Sequence, residues 1–318
     1  MKMKRLNLLL VSAVMAFSAF AQAGYTVSKQ EQSAMTEEAE NWIDDMPDGI
    51  QDKLSDAVAH SLRGFFTEVE SFRTPKDSLK NLPGFQGLQG KIYKGKSNKS
   101  KGKKSLLIYF HGGGWTMGSV GYTDKFCSAL ANDGNVIVVS LEYPLAPEYT
   151  YPSALNYCVG AVEKIIAKAK DLGSDASLVS LGGDGAGGNL ALSTYEKLPA
   201  NVKVRSLVLY YPLLQTTGQL NPDNKRKFGR GFGFDSRLWE SFVEAYNGHE
   251  TAYTKKLPPT LLISAGRDII IDQERDFSKK GINYVEFTGA LHGFITDGHQ
   301  RTAFKTAVEL TERFLQTK

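Results

Sequence analysis

The chain of 318 residues contains only two cysteines, Cys127 and Cys158, and five histidines. No His, Cys, Asp and Glu cluster at metal-ligand spacing, so neither a zinc site nor another resident metal is expected. No G-x-G-x-x-G stands in a strand-turn-helix setting with an acidic partner downstream, so no dinucleotide cofactor is expected either. Charge of one sign is scarce. There are 38 basic against 34 acidic residues, and Lys2, Lys4 and Arg5 belong to a segment that reads as removable, leaving 35 against 34, or +1. That balance carries no electrostatic footprint for nucleic acid or an acidic membrane surface. Internal repeats, long linkers and low-complexity tracts are also missing. With 42% hydrophobic and 23% charged residues, the composition is that of a soluble globular protein, and the length suits one large α/β domain or two small ones, either with a substantial core.

Acidic residues are absent from Met1 to Ala23. This stretch has a basic start (Lys2, Lys4, Arg5), an apolar stretch from Leu8 to Phe20 and the small-x-small triplet Ala21-Gln22-Ala23. The apolar run falls short of the ~20 residues that cross a bilayer. It reads as a signal peptide over 1–23, giving export to the periplasm or medium with no membrane anchor after cleavage. An oxidising compartment raises the question of a disulfide. Cys127 and Cys158, however, fall on helices after successive strands, and right-handed crossovers running in opposite directions place such helices on opposite faces of a sheet. Two buried, reduced thiols are expected.

Residues 25–72 read as helical and acidic, with apolar positions Ala57, Leu62, Phe65 and Phe66 at helical spacing, within an N-terminal segment taken as 24–78. Leu88 to Tyr93 reads as a short strand. Six lysines between Lys94 and Lys104 read as a solvated loop. Short apolar, β-branched runs then recur at 105–110, 136–141, 177–181, 206–211, 260–264 and 284–287, as strands buried on both faces do. Helical stretches lie between them at 123–132, 152–169, 189–198, 236–246 and 273–280, and a helix over 301–316 closes the chain. The alternation predicts one largely parallel α/β domain over 79–318.

Polar and glycine-rich sequence follows four of these strands, at the ends where open α/β sheets gather their chemistry. His111-Gly112-Gly113-Gly114-Trp115 offers a turn able to expose N–H groups to an oxyanion. Gly182-Gly183-Asp184-Gly185-Ala186-Gly187-Gly188-Asn189 has the form of a nucleophile elbow, G-x-Ser-x-G, with Gly183 and Gly187 as outer glycines and Gly185 where serine is expected. Ala265-Gly266-Arg267-Asp268 and Leu291-His292-Gly293-Phe294 supply an acid and then a histidine, the chain order of such a triad. Asp272 reads as a helix N-terminal carboxylate, and His60, His249 and His299 as surface residues.

The chain resembles the hormone-sensitive-lipase-like (HGGG) family of α/β-hydrolases, which includes bacterial carboxylesterases and acetyl esterases. The resemblance rests on HGGGW at 111–115, EYPLAPE at 142–148, GGDGAGGNLAL at 182–192, LPPTLLISAGRD at 257–268 and ALHGF at 290–294, in family order. It implies an eight-stranded, mostly parallel sheet with helices on both faces and an N-terminal helical cap. It further implies His292 as general base, Asp268 as its orienting acid, the N–H groups of Gly113, Gly114 and Ala186 as oxyanion hole, and Trp115 beside the pocket. Pro144 and Tyr149 stand where the family usually has Arg and often has His. Three readings of function follow. The first is an ester-hydrolase scaffold for small acyl esters that has lost its nucleophile at Gly185. The second is an active hydrolase using Asp184 or a water activated by His292. The third is a pseudoenzyme that holds a small ligand.

Overall fold

The computed structural model describes residues 25–45, 78–95, 103–133, 135–215, 220–229, 234–248, 252–296 and 298–317. Seven strands form one sheet: β1 (Gly90–Lys94), β2 (Ser105–Phe110), β3 (Val136–Leu141), β4 (Val179–Asp184), β5 (Leu207–Tyr210), β6 (Thr260–Arg267) and β7 (Asn283–Leu291). Their order is β1-β3-β2-β4-β5-β6-β7, with only β1 antiparallel to its neighbour. The described residues thus hold seven strands of the eight that the resemblance implies. The helices are α1 (Lys29–Asp44), α2 (Asp124–Ala131), α3 (Ser153–Ala167), α4 (Ala186–Lys197), α5 (Pro222–Phe228), α6 (Ser236–Tyr246), α7 (Ile271–Ser278) and α8 (Arg301–Gln316).

Burial on both faces explains the continuous apolar strands. In β2, Leu106, Ile108 and Phe110 join one core while Leu107 and Tyr109 join the other. Strand β3 divides the same way, Ile137, Val139 and Leu141 against Val136 and Val138. Helices α3, α4 and α6 pack on the first face, and α2 and α8 on the second. The chain leaves β2 toward β3 on one side and returns past β2 to β4 on the other. Right-handed crossovers in opposite directions then put α2 and α3 on opposite faces. Cys127 and Cys158 accordingly lie in different cores, both free and buried.

Several bounds differ from the sequence reading. Strands β4, β6 and β7 continue into the glycine-containing segments at their C-terminal ends, and α4 begins at Ala186 rather than Asn189. Helix α5 carries no apolar period. It is started by local chemistry, with the Asn221 side chain accepting from Asp223 N–H and Pro222 at the first helical position.

Of the expected helical cap over 24–78, the described part is α1. A Ser28/Glu31 capping box starts it, each side chain accepting from the other residue's N–H. Helix α1 lies along β7, the outer strand. The Gln32 amide donates to Glu286 O at 2.8 Å and accepts from Thr288 N–H at 2.8 Å, supplying the partners an open sheet edge lacks. Glu38 accepts from Thr302 N–H at 2.9 Å at the start of α8, and Glu40 pairs with Arg267. Residues 46–77, most of the lysine-rich loop and residues 1–24 lie outside the described residues, as do His60 and His249.

Candidate active site

Strand register assembles the site. Phe110 pairs with Gly183, so the turns that follow β2 and β4 are neighbours at the point where the chain reverses its direction across the sheet. Arg267 pairs with Leu291, so the next residues, Asp268 and His292, are neighbours as well. Asp268 Oδ2 stands 2.6 Å from His292 Nδ1. The Asp268 carboxylate is fully buried and its Oδ1 accepts from Ile270 N–H at 3.2 Å, while the His292 side chain keeps 15% of its surface exposed. With Nδ1 committed to Asp268, Nε2 is free to act toward the pocket.

Nε2 faces Gly185. That residue has φ 52° and ψ −118°, a conformation L side chains adopt only under strain. Its backbone is held by the end of β5 and the turn beyond it, with Gly185 N–H donating to Tyr210 O and Leu213 N–H donating to Gly185 O, both at 3.0 Å. A Cβ added at Gly185 would stand 3.4 Å from His292 Nε2 and meet nothing else nearer than that ring. Gly183 and Gly187 flank the turn, and a Cβ on Gly183 would overlap the Gly187 backbone. The elbow's sharpness therefore requires both.

The turn after β2 is equally crowded. Side chains on Gly112, Gly113 and Gly114 would overlap the Asp184 carboxylate, the Met117 carbonyl and the Phe242 ring respectively. Gly113 O accepts from Thr116 and Met117 N–H, which folds the turn back on itself. Among the described residues, none accepts a hydrogen bond from the N–H groups of Gly113, Gly114 or Ala186. Those three donors, two from the glycine turn and one from the first residue of α4, come from the loops that the Phe110–Gly183 pairing sets side by side.

Asp184 is spent elsewhere. Its Oδ1 accepts from Tyr109 Oη–H at 2.8 Å and from Gly112 N–H at 3.0 Å, so the carboxyl ties the glycine turn to the end of β4. It is buried, and burial pushes its pKa up against those hydrogen bonds, which lower it. These contacts leave it poorly placed as a nucleophile. Trp115 is likewise corrected from pocket lining to core: it is fully buried and stacked on Tyr246, with ring centroids 4.5 Å apart and planes 4° apart. Asp272 sits in the first turn of α7, paired with Asn221 and Arg275, and His299 lies against Trp42.

Three residues packed around His292 and the glycine turn carry no motif. Phe234 stacks on the His292 ring (4.3 Å, 27°), Tyr211 packs tilted against the same ring (4.6 Å, 55°), and Phe242 covers Gly114. Tyr211 follows β5 directly and has φ 34°, an outlier that marks a constrained position. A fourth unanticipated residue is Glu274, fully buried on α7, neither of whose carboxyl oxygens has a hydrogen-bond partner among the described residues. Burial, and then the nearby Asp268 charge, push its pKa well up, favouring the protonated form. Deeper still, His111 is buried under Tyr143 (4.3 Å, 15°), whose hydroxyl donates to His111 O at 2.6 Å. Burial alone would lower the His111 pKa, but Glu142 alongside outweighs it and the net direction is upward.

A family model described as alpha/beta hydrolase fold matches residues 107–296. Ethyl acetate hydrolase of Pseudomonas putida is 31% identical over 145 residues, 45% of this chain and 45% of that protein. Carboxylesterase NlhH of Mycobacterium tuberculosis is 36% identical over 110 residues, 34% of each chain. The aligned stretch thus spans less than half the length of both relatives. Among solved structures, Francisella virulence factor BioJ shares the fold with a TM-score of 0.71 at 21% identity, over 92% of this chain and 100% of that one.

Proposed function

The chain belongs to the α/β-hydrolase family, in its hormone-sensitive-lipase-like branch, and from that premise we propose that it is a carboxylic-ester hydrolase scaffold for small acyl esters in which Gly185 occupies the place of the nucleophile. The observation that carries this reading is the 3.4 Å from His292 Nε2 to a Cβ built at Gly185. A serine hydroxyl on that carbon would reach Nε2, which would take its proton as the oxygen attacked an acyl carbon. Asp268 would hold the imidazole and favour the imidazolium that forms, and the N–H groups of Gly113, Gly114 and Ala186 would receive the oxyanion. Loss of a serine nucleophile lowers turnover by about a millionfold, with roughly 10³–10⁴ over water remaining from binding and the oxyanion hole. The two relatives, an ethyl acetate hydrolase and a carboxylesterase, favour a short acyl ester.

The space before Nε2 also supports a second reading, in which a water there is deprotonated by His292 and attacks the ester directly without an acyl-enzyme. The experiment compares the protein with its Gly185→Ser variant on short-chain nitrophenyl esters, alongside a serine-reactive phosphonate. Turnover and labelling of the serine variant alone are expected. Turnover by the parent without labelling selects the water route, and a serine variant that neither turns over nor labels overturns the ester-hydrolase reading.

We further read 1–23 as an export signal and 24–78 as a cap on the 79–318 hydrolase domain. The exported protein is expected to begin at Gly24 on N-terminal sequencing.

A further inference from the structure

An ester site without its serine side chain has gained space at one defined spot, bounded on one side by His292 Nε2 and on the other by N–H donors. A carboxylate carries two oxygens on one carbon. When one is received by the N–H groups of Gly113, Gly114 and Ala186, the other falls on the side where a serine oxygen would have stood, facing Nε2. A serine hydroxyl would compete for that position; glycine leaves it open.

Resting on the reading of this pocket as an ester-hydrolase scaffold, we infer that the protein binds short-chain carboxylates, one oxygen accepting from the backbone N–H groups and the other from His292 Nε2. The proton balance is simple. A carboxylic acid enters as carboxylate plus proton, the proton resides on Nε2, and Nδ1–H stays on Asp268. The groups facing that imidazolium are Asp268 at 2.6 Å, the Tyr211 and Phe234 rings, and the Asp184 carboxyl. Glu274, whose pKa burial and then the Asp268 charge push up, is a further carboxyl that senses that pair. The apolar wall limits chain length. Phe242 covers Gly114, and Phe234 stacks between it and His292, parallel to Phe242 at 6.3 Å. A neutral amide of the same shape brings no negative charge to hold a proton on Nε2, so it forgoes the ion pair with the imidazolium and binds poorly.

The test titrates the protein with sodium acetate and propionate against acetamide, at constant ionic strength, by calorimetry and thermal shift. Saturable binding and stabilisation by the two carboxylates are expected, and none by acetamide. Gly185→Ser and His292→Ala should each weaken acetate binding by about tenfold or more, the loss of a charge-assisted hydrogen bond or of its space. Acetamide binding as well as acetate overturns the inference on the parent protein alone, whatever the variants do. Acetate bound undiminished by Gly185→Ser also overturns it. Ester hydrolysis gained by Gly185→Ser, with no acetate binding by the parent, overturns the inference and keeps the hydrolase reading. Acetate binding that is lost in both variants, with no hydrolysis gained, keeps the carboxylate site and overturns the hydrolase reading.

Discussion

Gly185 and His292 face one another across the gap that one hydroxymethyl group would fill, and nothing else comes as near to a Cβ at Gly185 as the His292 ring. The relationship joins the turn after β4 to the turn after β7, two segments 107 residues apart in the chain that meet at one end of the sheet. It also bears on stability, because the backbone at Gly185 is held where only glycine is at ease.

The first expectation follows from φ 52° and ψ −118° at that position. Gly185→Ala and Gly185→Ser should each lower unfolding free energy by about 1–3 kcal/mol, the strain of a non-glycine residue in such a conformation. There is room for the side chain itself, so the cost should be similar for both. Urea denaturation of parent and variants measures it, and a variant as stable as the parent counts against a strained elbow.

Asp184 should behave as a structural brace. Asp184→Ala leaves Tyr109 Oη–H and Gly112 N–H without their acceptor in a buried setting, at a cost of about 2–4 kcal/mol. Asp184→Asn retains an acceptor oxygen and should be much milder. In the Gly185→Ser background Asp184→Asn should keep most of the ester hydrolysis, and its abolition there would point to a chemical role.

Glu274 sets a pH dependence. Its carboxyl has a raised pKa in the folded protein, so the unfolded chain releases this proton at lower pH than the native one. The native state then holds more protons in that window, and stability falls as pH rises from the ordinary carboxylate range toward the folded value. Glu274→Gln keeps the neutral shape and removes the titration. Variant and parent should be alike near pH 4, with the variant pulling ahead by up to about 1.4 kcal/mol per pH unit above it. Thermal melts of both proteins from pH 4 to 8 test this, and parallel curves would contradict it.

Cys127 and Cys158 should be silent while the protein is folded. Both are buried in separate cores, and burial pushes both thiols up, away from the reactive thiolate. A thiol reagent such as dithionitrobenzoate should count no thiols on the native protein and two after unfolding in guanidinium, with or without prior reduction.

Much of this site is legible in the sequence. The glycine runs at 112–114 and 183–188 read as turns after strands because few other residues permit such backbone, and Asp268 and His292 stood at strand ends in triad order. Local chemistry is enough for that, since φ freedom, β-branching and periodicity act within a few residues. Sequence alone also placed the two cysteines on opposite faces, because the hand of the crossover is a property of the chain.

Tertiary structure decided the rest. Asp184 read from the motif as an alternative nucleophile, and only the approach of Tyr109 on β2 and of Gly112 in the turn after it shows its carboxyl accepting two hydrogen bonds. Trp115 sits next to an oxyanion turn in sequence, yet packing against Tyr246 took it into the core. Phe234 and Tyr211 came to pack on His292, and Glu274 to be a buried carboxyl, with no local signal, since their surroundings come from neighbours distant in the chain. The physical reason is range. Backbone sterics and hydrogen-bonding pattern are short-range and written in adjacent residues, whereas burial, stacking and the pairing of Asp268 with His292 depend on strand register, which many side chains determine together.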